Sequence, residues 1–287
     1  MTDFAHLSQR LFNVPLAITP HKAEVVMAAL ADRLGVAQLF RADGQLVQLA
    51  GFDLEDDAPA RDRPYEVVAG VAVIPITGTL VNKLGSMRPY SGMTGYDGIR
   101  ANLSIALADE SVRAIAFDIE SPGGEVSGCF DLVDDIFSAR GDKPIWSILS
   151  ESAYSAAYAI ASATDRIVVP RTGGTGSIGV IAMHVDFSKA LAKDGITVTV
   201  LRSDEFKAET NEFEPLTDGA YGRLMAEIAE MRDLFVDTVA RNRGLAASKV
   251  GATKAATFMG SHGVSAGLAD AVMAPSEAFR ALVSSLG

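Results

Sequence analysis

Four short runs of aliphatic, largely β-branched residues constrain this chain most: 71–76 (Val-Ala-Val-Ile-Pro-Ile), 113–119, 145–149 and 166–169. Each is nearly continuous in apolar character, as strands are when both faces of a parallel sheet are covered. Between them lie stretches with helical spacing. One is 94–108; another is 126–139, which sets Val126, Cys129, Phe130, Val133, Ile136 and Phe137 on one side. A third is the run of small residues that begins at Ser155. Strand and helix in alternation predict an α/β fold with parallel pairing and right-handed crossovers. No fixed-period repeat is visible, so one catalytic-type body is expected and not a tandem.

That body begins near Tyr65. Residues 1–64 read as a leading segment and linker: 21–34 has apolar residues at helical spacing, and 51–64 is charged and carries two prolines. His6 and His21 fall here and are read as solvated or packed. The expected organisation is therefore a leading segment over 1–64 and a principal domain over 65–287. After the strands, 217–243 predicts the longest helix, with Leu224, Ile228, Met231, Phe235 and Val239 along one face. Such a stripe serves as core or as subunit interface. The alanine-rich tail ends in a helix-like segment.

Composition narrows the classes of function. A chain of 287 residues with 48% hydrophobic content can bury one large core. The net charge of −11 argues against nucleic acid and against an anionic membrane surface as partners. Asp3 stands where a signal peptide carries positive charge, and no apolar run is long enough to span a bilayer. A cytoplasmic location is expected. A single cysteine, Cys129, rules out an intramolecular disulfide and is read as a small core residue.

The chemistry-bearing residues are few. Ser155 opens the small-residue helix, where backbone N–H groups are free to meet negative charge; it is either an N-cap or a nucleophile. Ser121-Pro122-Gly123-Gly124 reads as a turn between strand and helix. Its glycines either form a plain tight turn or aim N–H groups into a cleft, as an oxyanion hole requires. Gly174-x-Gly176-x-x-Gly179, with Asp194 about 20 residues on, matches a dinucleotide fingerprint in letters. A strand-like pattern follows Gly179, where that site needs a helix, so nucleotide binding is rejected. For a base, His184 is the histidine that a Ser-His arrangement would draw on, and it sits in an apolar stretch. Lys207, after a strand-like 197–201, is the candidate for a Ser-Lys pair; taken alone it is a surface lysine.

Ser-Pro-Gly-Gly, Tyr-Ser-Ala-Ala-Tyr-Ala-Ile-Ala, Thr-Gly-Ser-Ile-Gly-Val-Ile and Phe-Lys, in this order, resemble the signal peptide peptidase A family of Ser-Lys peptidases. The likeness is greater to its phage branch, the head maturation and capsid assembly proteases of lambda-like phages. Pro89-Tyr-Ser-Gly-Met-Thr-Gly-Tyr96 and Phe12-Asn-Val-Pro-Leu16 are similar to segments of that branch. The resemblance covers roughly residues 10–275. It implies a Clp-protease/crotonase-like fold of repeated ββα units. It also makes Ser155 the nucleophile and Lys207 the general base, with N–H groups of Gly124, Ala156 and Gly123 at the oxyanion hole. Ser177 would hold the lysine ammonium. No metal or organic cofactor is required by that chemistry.

The implied role is a serine endopeptidase inside the assembling prohead, acting on scaffold, portal or itself. Because one chain carries one serine motif and one lysine motif, a homo-oligomeric ring with a shared site is expected. Two departures stand out. Ser155-Ala156-Ala157 replaces the more usual Ser-Gly-Gly or Ser-Ala-Gly, which narrows the cleft floor, and the anchor of membrane-bound relatives has no counterpart in this sequence. The rival readings are a signal-peptide-peptidase-like bacterial protease, a crotonase-like acyl-CoA enzyme and an inactive structural head protein.

Overall fold

The computed structural model describes residues 14–19, 22 and 63–287. All but residue 22 of the helix expected over 21–34 and all but the last two residues of the linker expected over 51–64 lie outside them. The described elements run in order β1 (Leu16–Ile18), β2 (Glu66–Val68), β3 (Val71–Val81), β4 (Met93–Gly95), α1 (Tyr96–Ala108), β5 (Ala114–Glu125), α2 (Cys129–Ser138), β6 (Ile145–Ala153), α3 (Ala156–Ser162), β7 (Arg166–Val169) and β8 (Gly174–Gly176). They continue with α4 (Ser188–Lys193), α5 (Asp218–Arg243), α6 (Ala247–Gly251), β9 (Thr257–Met259), α7 (Ser261–Ala266), β10 (Ala271–Val272) and α8 (Pro275–Ser284). The four apolar runs are β3, β5, β6 and β7, and the helices between them fall where the spacing predicts.

The main sheet has the order β10-β7-β6-β5-β3-β2. Pairing is parallel from β3 to β10, and β2 closes the other edge antiparallel to β3. Side chains alternate between its faces. Ile115, Phe117 and Ile119 of β5 enter the larger core with Cys129, Leu132 and Ile136 of α2 and with α3. Ala114 and Ala116 point the other way, toward Ala278 and Leu282 of α8. The mixed α/β architecture is therefore the expected one. Burial pushes the Cys129 thiol up to about 12, so it remains a neutral core group.

At the centre lies α3, in which every residue from Ala156 to Ala161 is fully buried. Small side chains let its backbone approach the sheet closely. Its last carbonyls have no helical partner, and Arg140 supplies one. The guanidinium donates to the carbonyls of Ser162, Ala163 and Thr164 at 2.9, 2.7 and 2.6 Å.

Helix α5 begins where expected, with Thr217 Oγ1 accepting the Ala220 N–H at 3.2 Å. Its apolar stripe divides. Phe235 and Val239 are in the core, whereas Leu224, Ile228 and Met231 are half-buried and Tyr221 and Met225 are exposed. Near its end Arg243 pairs with Asp270, whose carboxylate also accepts the Ile167 N–H at 2.7 Å. Burial opposes ionisation of Asp270. Arg243 and the Ile167 N–H more than offset it and hold the carboxyl below its ordinary range. The resulting stability is present above the unfolded-chain pKa of about 3.9 and is lost as pH falls through the lower folded value. Asp270→Asn is expected to cost about 2 kcal/mol at pH 7 for this half-buried pair. Urea midpoints for the two proteins should converge below about pH 4.

Three expectations are corrected. Ser121–Gly124 is not a turn: it continues β5, which runs on to Glu125 because β3 and β1 pair with it there. Residues 180–185 do not form a strand; Ile181 alone makes a bridge, to Leu16. Residues 197–201 are not a strand either, and Leu201 is 91% exposed. In both stretches the β-branched pattern is present but the ladder partners are not found among the described residues.

Candidate active site

Ser155 stands between the end of β6 and the start of α3 at φ 54° and ψ −122°. That backbone region is costly for an L-residue and persists where the surroundings over-determine it. Here they do. The Ser155 N–H donates to the Gly176 carbonyl at 2.9 Å, its own carbonyl accepts from Ala159 at 2.9 Å, and the Tyr154 N–H is held by Ser121 at 3.1 Å. A strained serine at a sharp strand-to-helix turn lifts its hydroxyl clear of the sheet and sets the next N–H beside it. Within the single chain Ser155 is 1% exposed, and its Oγ makes one long contact, 3.5 Å, to the Gly179 carbonyl.

The neighbouring donors differ in their availability. Ala157 N–H is bonded to Tyr154 at 3.0 Å, whereas Ala156 N–H has no acceptor among the described residues. Gly123 lies directly against Ser155: a Cβ there would meet Ser155 Cβ at 2.9 Å and the Ala17 carbonyl oxygen at 2.1 Å. With φ at +100°, this position requires glycine. The Gly123 N–H donates to Ser121 Oγ at 3.2 Å, which donates in turn to the Gly78 carbonyl at 2.7 Å. Gly124 follows, pressed against Leu80 of β3 on one side and opposite Ala17 of β1 on the other.

Ser177 also has positive φ, 55°, and is 8% exposed beside Gly176. The segment opposite it shares the strain, with Lys254 and Ala255 at φ 50° and 58° and the Ala256 carbonyl accepting the Ser177 N–H at 2.9 Å. The second glycine cluster thus forms the wall of the serine site. No helix starts after Gly179 until Ser188, which agrees with the rejection of a nucleotide fingerprint. His184 is half-buried in the irregular stretch after it.

The fold brings together Ser155, Gly123, Gly124, Ala156 and Ser177. Lys207 is not among them. It is exposed on a turn-rich segment over 203–210, and no hydrogen bond links it to Ser155 within the chain. Sequence reasoning placed Ser121 only in a turn and missed that its Oγ ties down the Gly123 N–H and that the carbonyls of Gly176 and Gly179 face Ser155. It also missed β1. The only signal for β1 is the Phe12–Leu16 similarity, which carries no hint of a position.

A family model for peptidase family S49 matches residues 138–285, a span that includes both Ser155 and Lys207 but not β5 with its glycines. The chain belongs to peptidase family S49. Among curated proteins, this S49 chain is 40% identical over 292 residues to the head-tail preconnector protein GP5 of Enterobacteria phage P21. That alignment covers 99% of the chain and 58% of the relative. It is 36% identical over 293 residues to the capsid assembly protease C of Escherichia phage lambda, covering 100% of the chain and 67% of the relative. Protease 4 of Haemophilus influenzae is more distant, at 27% identity over 85% of the chain and 38% of that protein. The S49 chain therefore spans about three fifths to two thirds of the length of its phage relatives. No helix among the described residues is long and apolar enough to cross a membrane.

Proposed function

We propose that this chain is a Ser-Lys endopeptidase of phage prohead maturation. The observation that carries the reading is Ser155, held in a strained conformation beside an open Ala156 N–H and the backbone of Gly123 and Gly124. The names of the two phage relatives support the setting. Residues 65–287 would be the peptidase domain and 1–64 its leading segment. In finer terms the fold would be of the Clp-protease/crotonase type.

In this mechanism the neutral amine of Lys207 takes the Ser155 proton as Oγ attacks the peptide carbonyl. The N–H groups of Ala156 and Gly124 hold the negative oxygen, the latter once Ala17 of β1, paired opposite it, has moved away, with Gly123 keeping the approach to Ser155 free of a side chain. Collapse breaks the C–N bond, the ammonium returns its proton to the departing amine, and an acyl-Ser155 ester remains. Water, deprotonated by Lys207, hydrolyses that ester. Ser177 would orient the ammonium. Scaffold, portal and the protease itself are the substrates the phage role suggests, in the prohead within the host cytoplasm.

A lysine base must be stripped of water to be neutral at moderate pH, and within one chain Lys207 is exposed. A ring resolves this, with Lys207 of one subunit delivered to Ser155 of the next. In support, Ile196, Leu201, Phe206, Tyr221 and Met225, in the chain segments before and after Lys207, are all exposed apolar groups, with Leu201 at 91%, and Arg223 of α5 stacks over the Phe206 ring at 4.0 Å. A ring contact over these segments would cover them.

Co-expression with the neighbouring head proteins tests the function. Mass spectrometry should find cleaved scaffold or portal with wild type and none with Lys207→Ala. An amine base also makes kcat/KM rise with pH to a plateau. A flat profile between about pH 6 and 9, with chemistry shown to be rate-limiting, would count against it.

A further inference from the structure

Between the end of β5 and Ile181 lies a slot one strand wide, and the chain's own residues 15–19 fill it. On one side β1 runs antiparallel to β5, with Leu16 opposite Glu125, Ala17 opposite Gly124 and Ile18 opposite Gly123. The pairing extends beyond the strand at both ends: Val126 N–H donates to the Pro15 carbonyl at 3.5 Å and Thr19 N–H to the Pro122 carbonyl at 3.0 Å. On the other side Leu16 exchanges two hydrogen bonds with Ile181, at 2.7 and 2.9 Å. Residues 15 and 19 thus face β5 while residue 16 faces Ile181, as the alternation of a strand requires. That alternation puts Ala17 in the bonded position opposite Gly124. The side chains are covered as well as the backbone, with Leu16, Ala17 and Ile18 exposed by only 4, 1 and 5%.

Two details relate this strand to the serine. First, the Ala17 carbonyl oxygen and Ser155 Cβ lie against the same point, where a Gly123 side chain would be, at 2.1 and 2.9 Å. Second, β1 is directed toward the nucleophile: successive residues from 15 to 19 step back along β5 from Val126 to Pro122, past Gly123. A substrate's acyl half has the same polarity, since its residues precede the carbonyl that is attacked. A sheet edge filled by an extended peptide is a recognised mode of binding, in which the backbone supplies affinity and alternate side chains supply selectivity.

We propose that this slot is the acyl-side substrate subsite, and that residues 15–19 occupy it as a tethered competitor that must leave before a substrate binds. The inference rests on Ser155 being the nucleophile. It specifies the ligand: an extended peptide with a small residue opposite Gly124, where Ala17 packs into the main core, and apolar residues on either side of it, in the manner of Leu16-Ala17-Ile18. A tethered strand lowers the apparent affinity of any free peptide by the fraction of time the slot is filled.

The probe is the capped, fluorescently labelled pentapeptide Pro-Leu-Ala-Ile-Thr, measured by anisotropy on full-length Ser155→Ala protein so that no turnover intervenes. Adding Leu16→Asp and Ile18→Asp, which puts charge on the buried faces of β1, should tighten probe binding at least tenfold. Amide exchange at Gly124 and Ile181 should speed up, and probe should slow it again. Equal affinity in a folded double variant overturns the proposal. Should that variant fail to fold, Thr19→Pro removes the single bond to Pro122 and should tighten binding by a smaller factor, with equal affinity again overturning it. Hydrolysis by the protein with Ser155 intact is scored separately. Tighter binding without Ser155-dependent hydrolysis would sink the nucleophile assignment and leave the peptide slot standing.

Discussion

Ser155→Ala and Lys207→Ala are each expected to lower peptidase activity by roughly 10⁴-fold or more, with the double variant no slower than either single one. Residues that act as one unit lose their whole contribution when either is removed. Neither change should unfold the chain. Ser155→Ala deletes a hydroxyl whose hydrogen bond among the described residues is a long one to the Gly179 carbonyl, and Lys207 is exposed. Mixing the two inactive proteins distinguishes a shared site from a private one. When subunits recombine at random in a ring, a site works only if its serine comes from the Lys207→Ala chain and its lysine from the Ser155→Ala chain. Roughly a quarter of wild-type activity should therefore return on co-refolding a one-to-one mixture. If subunit exchange is demonstrated and nothing returns, the two residues act within one chain and the ring is wrong.

Gly124→Ala is expected to be strongly destabilising. Its Cβ would lie 1.8 Å from the Leu80 carbonyl oxygen and 2.5 Å from the carbonyl carbon, and both belong to backbone that is itself paired in the sheet. No rotamer relieves that contact, so β3 and β5 must part where they flank Ser155. A loss of about 3 kcal/mol or more follows from such overpacking, seen as a Tm lower by about 6 °C or more. Any folded protein that remains should also be nearly inactive, because the Gly124 N–H moves with the backbone. Gly222→Ala on α5 is the control. Its Cβ meets nothing within 4 Å, so it should match or exceed wild type by up to about 1 kcal/mol. Equal melting of Gly124→Ala and wild type would show that β3 and β5 do not approach as described.

Much of this protein was legible in the order of its residues. The runs at β3, β5, β6 and β7 identified themselves by continuous apolar character, and α2 by a stripe that buries Cys129, Val133 and Ile136. These are local properties, in which burial repeats with the period of the element that carries it. Ser155 was legible for a related reason: a polar residue ahead of six small or apolar ones marks a helix start whichever partner it meets. The reading of the stretch as a peptidase site rests on the family motifs in addition.

What tertiary structure alone decided are the contacts between residues distant in the chain. Ser121–Gly124 carries the letters of a turn, and local preference alone would make it one. It is extended because Leu80 and Ala17 hold it from two sides, and neither partner is near it in sequence. The positive φ of Ser155 and Ser177 is likewise imposed by the bonds to Gly176 and Ala256 against their own preference. For β1 the register was invisible, since three apolar residues in a row pair equally well with any edge until one edge is left open beside them. That edge is the end of β5, where Gly123 lies against Ser155.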